Sequence, residues 1–446
     1  MVQGREGGAK AAMLTPERLR ADGVRMLRCL YCDNSGLIRG KAVTPRAVAA
    51  DGIAGGVGLT PAMMAMNMLD QLQPFPGMGV VGDVRMMPDP ATYRPMPFAP
   101  GQAAAICDLH ARGADGTLHP WAACPRTFLR RMAGEAAAAG FGVLAGFEGE
   151  FSLCARTPDG GLRPADATNC FAAVGMMELG DVALAMVDAL EAVGVPVLLY
   201  CPELGHGQHE IATAPAPDVA AADRQLLFRE TVRAVAWRHG LAASFAPKPF
   251  PDQAGNGAHL HWSLWDPDFV VPRQWRGGDL SDEGGWFLAG VLGHLPALLA
   301  LTCPSVNSYR RLRPGAWASA TISWGAHNKE AAVRLLPPEA GANAELKACD
   351  HSCNPYLALG GLIACGLDGV RRHLALPPEA TEDPAGLSGV ATLPARLEEA
   401  LDALEADAVL AAAMGPVLHG SFLAVKRSEV RAFAERDDIP DHILRF

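Results

Sequence analysis

The pattern of hydrophobic and polar positions divides the chain into a β-rich first part and a longer part that mixes strands with helices. The stretch VRMLRCLYCDNSGLIRGKAV contains two β-rich runs joined by the turn DNSG, which predicts a hairpin. Two further short strands are predicted in GVVGDVRMM and AAAICDLH, on either side of a proline-rich stretch. We therefore expect a flexible tail over residues 1–15 and a small β domain over residues 16–110.

The longer part, residues 111–446, alternates strands and helices irregularly and contains few tight βαβ units. This arrangement predicts the α+β class rather than a doubly wound parallel sheet. Helices are predicted at about 126–140, 181–194, 218–240, 284–301, 354–372 and 416–435. Strands are predicted near 143–153, 195–201, 258–265, 319–324, 331–336 and 344–348.

Composition narrows the class of protein. The 446 residues carry a formal net charge of −10 and no lysine-rich tract, which argues against non-specific binding of nucleic acid or of an anionic membrane. The start of the chain lacks the apolar core of a signal peptide. The apolar run FLAGVLGHLPALLALTC is broken by His294 and Pro296, so it predicts a buried helix. Since the eleven cysteines include no CxxC pair, we expect a cytoplasmic protein with reduced thiols.

The stretch VLAGFEGEFSL, residues 143–153, is apolar or small except for Glu148 and Glu150. Because a strand has period two, both carboxylates project from one face. Two like charges on a buried face are costly unless a cation or strong donors neutralise them. Taken alone, an edge strand with a solvated face explains the pattern equally well.

Two further stretches carry candidate ligands. In CPELGHGQHEI, Glu203 and Glu210 are seven residues apart across a glycine-rich turn that can fold both carboxylates toward one point. In GNGAHLHWSLW, His259, His261 and Ser263 alternate with apolar residues, so one strand face carries two imidazoles and a hydroxyl. Each pattern alone has a simpler explanation, since acidic loops are common and an isolated histidine is more often a core residue than a ligand.

A third stretch, NAELKACD, places Glu345 and Lys347 on one strand face, which by itself is typical of a solvated edge. Together the stretches indicate metal ions, because oxygen-rich ligation with a single imidazole favours Mg²⁺ or Mn²⁺ over zinc. Six ligands are too many for one ion that also binds water and substrate, so two or more ions are expected, as suits phosphoryl transfer. The candidate metal ligands are Glu148, Glu150, Glu203, Glu210, His259 and Glu345.

Cationic groups for phosphate or carboxylate are concentrated in NSYRRLRPGAWASATISWGAHNKEAAVRLL. Arg334 lies in an apolar strand run, where an unpaired guanidinium would be costly, so an anionic partner is expected there. An ion pair with a structural acid is the alternative. No P-loop is present, because GNG and GHG lack the Lys-Ser/Thr of that motif. The candidates are Arg310, Arg311, Arg313, Lys329 and Arg334.

With these stretches the chain resembles the glutamine synthetase family over nearly its whole length. GFEGEF resembles its E-x-E strand, PELGHGQHEI its E-x-x-x-G-Q-x-E turn, and KPFPDQAGNGAHLHWSLW its segment ending in H-x-H-x-S-L. NSYRRLRPG and DHSCNPYLALGGLIACGLDG match two further blocks. The resemblance implies a β-grasp domain at 16–110, followed at 111–446 by a catalytic domain with a curved antiparallel sheet flanked by helices.

The activity implied by the resemblance is that of an ATP-dependent carboxylate–amine ligase, which phosphorylates the side-chain carboxylate of glutamate and lets an amine attack the acyl phosphate. By position, the metal near the acyl phosphate is assigned to Glu150, Glu203 and Glu210. The metal on the ATP phosphates is assigned to Glu148, His259 and Glu345. Nucleotide contacts are assigned to His261, Ser263 and Arg334, substrate contacts to Gly255, Arg311 and Lys347, and catalytic roles to Arg311, Arg334, Lys329 and Trp317.

Four departures from the family pattern bear on the substrate. Trp317 occupies the position of a flap glutamate, and GVGLTPAMMAMNMLD has no acid until Asp70, where the family has an aspartate before a Gly-Ser-Ser loop. Lys329 and Lys347 replace arginines, and Ala254 replaces an asparagine. Ammonium is small and charged and is held by such anions, so their loss predicts a larger, less polar pocket that suits an organic amine.

We therefore expect an enzyme closest in character to the γ-glutamyl-amine ligase branch of the family, forming a γ-glutamyl amide from glutamate and an organic amine. The alternatives are a glutamine synthetase that uses ammonia, a ligase with another acid or nucleophile, and a non-catalytic homologue that binds metal or nucleotide. The resemblance also implies a homo-oligomer of two stacked hexameric rings, with active sites between subunits.

Overall fold

The structure, a computed structural model, describes residues 13–49 and 52–446. Most of the expected tail, residues 1–12, lies outside the described residues. Thr15, the last residue of that expected tail, caps helix α1 (Pro16–Ala21), because its hydroxyl accepts a hydrogen bond from the Arg18 amide. A short capped helix therefore precedes the first sheet.

Seven strands form the first sheet: β1 (Met26–Cys32), β2 (Ile38–Val43), β3 (Val57–Leu59), β4 (Val84–Pro88), β5 (Arg94–Pro95), β6 (Gln102–Arg112) and β7 (Leu118–Pro120). β1 and β2 form the predicted antiparallel hairpin, with Cys32 opposite Ile38. β6 pairs in parallel with β1 and antiparallel with β4. The predicted β-rich first part is confirmed.

The turn of this hairpin is docked against the second half of the chain. Asp33 closes the turn by accepting hydrogen bonds from the amides of Ser35 and Leu37, each at 2.9 Å. Gly36 has φ +86°, and a Cβ there would lie 2.1 Å from the carbonyl oxygen of Ser352. Glycine is required at this position for both reasons, since it tolerates positive φ and close approach.

Ten strands form the second sheet: β8 (Gly142–Arg156), β9 (Leu162–Pro164), β10 (Val197–Pro202), β11 (Gln208–Thr213), β12 (Ala216–Pro217), β13 (Ala242–Ser244), β14 (Ala258–Trp265), β17 (Trp324–Ala326), β18 (Val333–Leu336) and β19 (Asn343–Leu346). A separate pair contains β15 (Trp275–Arg276) and β16 (Asp279–Leu280). The main strand order is β10-β11-β8-β14-β19-β18-β17. Its pairs are antiparallel except β17–β18, which confirms the α+β class.

The remaining helices are α2 (Pro125–Ala138), α3 (Ala173–Glu178), α4 (Gly180–Ala192), α5 (Val219–Arg238), α6 (Asp282–Gly293), α7 (Leu295–Thr302), α8 (Pro355–Arg372), α9 (Leu397–Ala406), α10 (Ala408–Phe433) and α11 (Ile439–Arg445). The single helix predicted at 284–301 is two helices, because the chain bends by 76° at His294, with a proline in the first turn of α7. α10 begins ahead of the predicted start at 416 and is kinked at Gly415, where φ is +76°.

The strand predicted at 319–324 is wrong over most of its length. Ser319 has φ +67°, which a strand does not accommodate, and Thr321 forms only an isolated bridge with Thr392. The regular strand β17 starts at the last residue of the predicted span. By contrast, the strand predicted at 258–265 has the bounds of β14.

Buried hydrophobic residues form two clusters. The smaller comes from residues 14–124 and contains Leu27 and Met86 of the first sheet. The larger contains Phe151 of the second sheet together with Leu30 and Ile106 of the first, so the first sheet also packs against the core of the longer part. The expected boundary after residue 110 stays a prediction, and β7 beyond it still pairs with β6.

By length and composition, α10 is apolar enough to cross a membrane, as is the bent pair α6–α7 taken together. Helices of a protein core share these properties, so the observation is weak by itself. In this fold α10 carries a buried ion pair, with Lys426 Nζ 2.9 Å from Glu429, and both side chains also bond to Ser35 in the hairpin turn. These contacts give α10 a place in the core.

A buried ion cluster joins the two halves of the chain. Arg126 at the start of α2 donates hydrogen bonds of 2.8–2.9 Å to Asp89, Asp108 and Asp223. Asp223 of α5 also accepts a bond of 2.6 Å from the hydroxyl of Tyr356 in α8. Because Arg126 is only 4% exposed, its removal would leave buried carboxylates without their counter-charge.

We expect Arg126→Met to destabilise the protein by about 3–5 kcal/mol, because it breaks a buried charge cluster. The matched control is Arg130→Met. Arg130 lies 3.2 Å from Asp108 and 3.8 Å from Asp89 but is 51% exposed, so its loss should cost less than about 1 kcal/mol. Urea unfolding of both variants measures the difference, and equal losses would contradict the importance of burial.

Candidate active site

The pairing of β8 with its two neighbours brings ligand side chains to both of its glutamates. Glu210 of β11 lies directly opposite Glu150, and His259 of β14 lies directly opposite Glu148. Directly opposed residues have Cβ atoms about 5 Å apart, so strand register alone assembles these groups. Glu203 joins them from the turn after β10, which is closed by a hydrogen bond of 2.8 Å from its own amide to the Gln208 carbonyl.

The next strands extend the row of polar side chains. Glu345 of β19 is fully buried and lies opposite His261 of β14 on one side and Arg334 of β18 on the other. Its Oε2 forms an ion pair of 2.5 Å with Arg334 Nε, and its Oε1 lies 3.2 Å from Lys347 Nζ. Arg334 therefore has the anionic partner that its apolar strand requires, and the partner is a candidate metal ligand.

Two imidazoles lie between Glu148 and Glu345. His259 Nδ1 is 3.0 Å from Glu148 and 3.1 Å from Glu345. His261 Nε2 is 3.7 Å and 3.8 Å from the same two carboxylates and has no hydrogen-bond partner among the described residues. Either ring can therefore complete a metal site with these glutamates. The sequence predicts His259 for this role, and the geometry allows His261 as well.

Charges in this part of the site are balanced in the metal-free protein. Burial opposes ionisation of Glu148, but the hydrogen bond from His259 and the nearby His261 ring hold its pKa well below the usual range. Burial likewise opposes protonation of the two histidines, yet the adjacent carboxylates raise the pKa of both. The carboxylates and the imidazoles therefore each favour the charged form of the other.

The other end of the row lacks such compensation. Burial, followed by the charges of nearby glutamates, raises the pKa of Glu210 to about 9. Burial and the charge of Glu150 also raise the pKa of Glu203. No positively charged side chain in the described ranges forms an ion pair with Glu203 or Glu210. A carboxylate group of this kind fits a divalent cation, which supplies the missing charge.

Glu150 is held in place by hydrogen bonds from two other residues of the predicted motif stretches, Gln208 and Gly257. The Gly257 amide donates to its carboxylate at 2.7 Å, and Gln208 Nε2 donates at 3.2 Å. The same Gln208 amide also donates to the Gly255 carbonyl at 2.8 Å. A Cβ at Gly255 would lie 2.8 Å from the side chain of Arg311, so glycine allows that arginine to reach the site.

One cavity of about 430 Å³ collects these groups. Of the residues with predicted site roles, His261 and Ser263 instead line a second cavity of about 290 Å³, which shares Glu148 with the first. The candidates Arg310 and Arg313 line neither cavity, and Arg310 instead pairs with Asp438 at 2.6 Å. The predicted residues that line the larger cavity are Glu148, Glu150, Glu203, Glu210, Gly255, His259, Arg311, Trp317, Lys329, Arg334, Glu345 and Lys347. The predicted metal, substrate and nucleotide residues therefore line two neighbouring compartments that share Glu148.

Several site residues escaped the sequence interpretation. Cys201 Sγ lies 3.8 Å from Glu203 and 3.9 Å from Glu210, and its spacing two before Glu203 was a visible signal. Gln208, which positions Glu150, stands in the quoted turn. Asn343 bonds to His261 Nδ1 at 2.9 Å, and Met176 lines the cavity from α3. Neither of these last two has a local signal, because only the fold brings them near.

Comparison with known proteins agrees with this geometry. Residues 10–121 match the family described as the glutamine synthetase N-terminal domain, and residues 122–439 match the glutamine synthetase catalytic domain. The gamma-glutamylpolyamine synthetase GlnA3 of Streptomyces coelicolor is 39% identical, over 98% of this chain and 96% of that protein. The glutamate–methylamine ligase of Methyloversatilis universalis is 32% identical, over 92% of this chain and 93% of that protein.

Solved structures give the same result. A GmaS/ADP complex superimposes with a TM-score of 0.84 at 29% identity, covering 96% of this chain and 97% of the other. A structure described as a novel glutamine synthase homolog superimposes with a TM-score of 0.81 at 34% identity, covering 94% of this chain and 97% of the other. Two of these relatives, the gamma-glutamylpolyamine synthetase and the glutamate–methylamine ligase, are named for amine substrates, which agrees with the predicted resemblance to the glutamate–amine ligase branch. The chain belongs to the glutamine synthetase family and is an ATP-dependent carbon–nitrogen ligase.

Proposed function

We propose that this protein uses ATP to join glutamate to an organic amine, forming a γ-glutamyl amide through γ-glutamyl phosphate. The observation that carries the proposal is a single cavity in which buried carboxylates face Arg311 and Arg334 while Trp317 stands at the mouth. The carboxylates suit cations, the guanidinium groups suit phosphate and carboxylate, and the indole suits the organic part of an amine.

Mg²⁺ or Mn²⁺ fits the donor set, which is rich in carboxylate oxygens. Bound ions would neutralise phosphate charge during transfer. Gln208 and the Gly257 amide orient Glu150 for this role, and Arg334 and Lys347 orient Glu345. One ion would be held by Glu150, Glu203 and Glu210. The other would be held by Glu148, His259 and Glu345.

Arg311 is suited to the main-chain carboxylate of glutamate. It is buried, and its Nη2 donates to the carbonyls of Lys347 at 3.1 Å and Cys349 at 2.9 Å. Its Nε has no hydrogen-bond partner in the part of the chain that the structure describes. A fixed guanidinium with an unsatisfied donor favours an anionic ligand.

The proposed reaction has two steps. An oxygen of the glutamate side-chain carboxylate attacks the γ-phosphorus of ATP, and ADP leaves. The amine nitrogen then attacks the acyl carbon, inorganic phosphate leaves, and the nitrogen loses a proton. His261 and Ser263 line the smaller compartment, where ATP would lie, so the phosphates would extend past Glu148 toward the larger one.

The proposal extends to the assembly and location of the enzyme. We infer a cytoplasmic homo-oligomer of two stacked hexameric rings, with each active site completed by a neighbouring subunit. Support comes from family membership and from Val80 and Val81 in the first domain, which are 81% and 86% exposed in the single chain. Exposed neighbouring valines favour a subunit contact.

Purified enzyme with glutamate, ATP and Mg²⁺ or Mn²⁺ is expected to release phosphate faster with organic amines than with ammonium, because Trp317 replaces an acidic group. Mass spectrometry should identify a γ-glutamyl amide. Glu150→Ala should reduce the rate by about 100-fold or more, since it removes a metal ligand. Glu178→Ala, at an exposed glutamate outside the cavity lining, is the matched control and should retain activity.

The amine assay also separates the alternatives. A clear preference for ammonium would identify a glutamine synthetase and contradict the organic amine. Release of phosphate only with a different acid would contradict glutamate. Binding of nucleotide without release of phosphate under any combination would indicate a non-catalytic homologue.

Metal binding is expected to release protons, because the raised pKa of Glu210, about 9, keeps its carboxyl protonated near neutral pH in the metal-free protein. A cation must displace that proton, so the apparent affinity for Mn²⁺ should rise with pH up to about pH 9, by at most about tenfold per pH unit for each proton released. Calorimetric titration in buffers of different ionisation enthalpy counts the protons.

Glu210→Gln is the control for this titration, because an amide has the same shape and no titrating proton. The variant should bind Mn²⁺ more weakly and release about one proton fewer. Equal proton release from the two proteins would show that Glu210 does not hold the proton.

A further inference from the structure

The active-site cavity is lined in part by exposed apolar side chains, which together form an apolar wall. Its members are 41–56% exposed, although large hydrophobic side chains are usually buried. They come from separate segments of the chain, so no single element explains their grouping. The wall consists of Phe171, Met176, Leu199, Leu204 and Trp317.

Two aromatic residues of this wall have strained backbones. Phe171 has φ +55° and Trp317 has φ +51°, a region that bulky residues rarely occupy. Such conformations cost of order 1–3 kcal/mol each and cluster at functional sites. Phe171 is held by a hydrogen bond of 3.1 Å from its amide to the Pro202 carbonyl, and Trp317 by one of 3.0 Å to Glu330. The fold thus maintains both rings at the cavity despite the strain.

Two charged side chains flank Trp317. Both oxygens of the Glu330 carboxylate accept hydrogen bonds from backbone amides, those of Gly315 and Trp317, whereas Lys329 presents its ammonium group to the ring. Lys329 Nζ lies 4.6 Å from the centre of the Trp317 ring, a cation–π contact that places an ammonium group beside the apolar wall. Among the described residues that line the cavity, every carboxylate belongs to the metal set of Glu148, Glu150, Glu203, Glu210 and Glu345. A second ammonium group on a substrate would therefore meet Lys329 and apolar side chains instead of an acid.

We propose that this wall binds the hydrocarbon part of the amine, and that the substrate is an alkyl or arylalkyl monoamine rather than a diamine or polyamine. The inference rests on the proposed amide-forming activity and adds the chemical class of the amine. The nitrogen points toward the acyl phosphate and the carbon chain lies against Trp317, Phe171 and Met176. A chain with a second charge at its far end is excluded by desolvation and by repulsion from Lys329.

The sharpest test compares butylamine with 1,4-diaminobutane, which differ only in a hydrogen or an ammonium group on the terminal carbon. We expect kcat/KM for butylamine to exceed that for the diamine by at least about tenfold, because the extra charge finds no partner. Benzylamine should also be used well. Equal or faster formation of a γ-glutamyl amide from the diamine would overturn the monoamine inference while leaving the proposed ligase activity intact.

Another result would contradict the proposed function as well as the monoamine inference. If no amine gives a γ-glutamyl amide but ammonium gives glutamine, both the proposed function and this inference are overturned. The two outcomes are distinguishable by product. Failure of the monoamine inference alone yields the γ-glutamyl amide of the diamine, whereas failure of the proposed function yields glutamine and no amide of an organic amine.

Two adjacent methionines of α3 provide a matched pair of variants. Met176 lines the cavity, whereas Met177 is 80% exposed and does not. Met176→Ala should lower kcat/KM for butylamine by about fourfold or more through a higher KM, with a smaller effect on methylamine, whose carbon chain is too short to lose the contact. Met177→Ala should leave both unchanged. Equal behaviour of the two variants, with unchanged melting temperatures, would contradict the placement of the amine.

A gain of function supplies an independent check. Trp317→Glu places a carboxylate at the mouth, where it can pair with a second ammonium group. The ratio of kcat/KM for butylamine to that for the diamine should fall by about tenfold or more. An unchanged ratio would show that the far end of the amine does not reach this wall.

Discussion

Repulsion among five clustered glutamates, four on strands of the second sheet and one in the turn after β10, is the constraint around which this protein is organised. Two carboxylates 4 Å apart repel by about 4 kcal/mol at the effective dielectric typical of a protein surface. The fold does not relieve this repulsion by separating the groups. Strand register instead sets Glu210 opposite Glu150, and it sets His261 and Arg334 on either side of Glu345. Such a sheet is stable only with counter-charges.

The two ends of the acidic row obtain those counter-charges differently. Glu148 and Glu345 contact His259, Arg334 and Lys347 within the chain, so their charge is balanced before any ligand arrives. Glu203 and Glu210 have no such partners, and the pKa of each is raised.

Much of the site followed from local patterns in the sequence. The spacing of Glu148 and Glu150 placed both on one strand face, and β14 has the predicted bounds because its alternation of histidines and apolar residues is regular. The register of neighbouring strands could not be predicted, since it depends on long-range pairing. For that reason the approach of Cys201 to Glu210 and of Asn343 to His261 became visible only in the fold.

The failures of the sequence interpretation have local causes. His294 interrupts a continuous apolar run that reads as one helix, and its ring is bound by Asp407 at 2.6 Å and Asp368 at 3.0 Å, contacts that no local pattern reveals. The segment 319–324 was predicted as a strand, but positive φ angles at Trp317 and Ser319 turn the chain. That turn is what presents Trp317 to the cavity.

The central claim, that one row of carboxylates holds two kinds of metal site, is tested most directly by counting bound Mn²⁺. Electron paramagnetic resonance of free Mn²⁺ during titration gives the stoichiometry for the wild-type protein, Glu210→Gln and Glu345→Gln. The account predicts at least two bound ions per wild-type chain. Each variant should lose one of them, and the affinity of the lost ion should differ between the two variants. Loss of every ion in both variants, or of none in either, would contradict two separable sites.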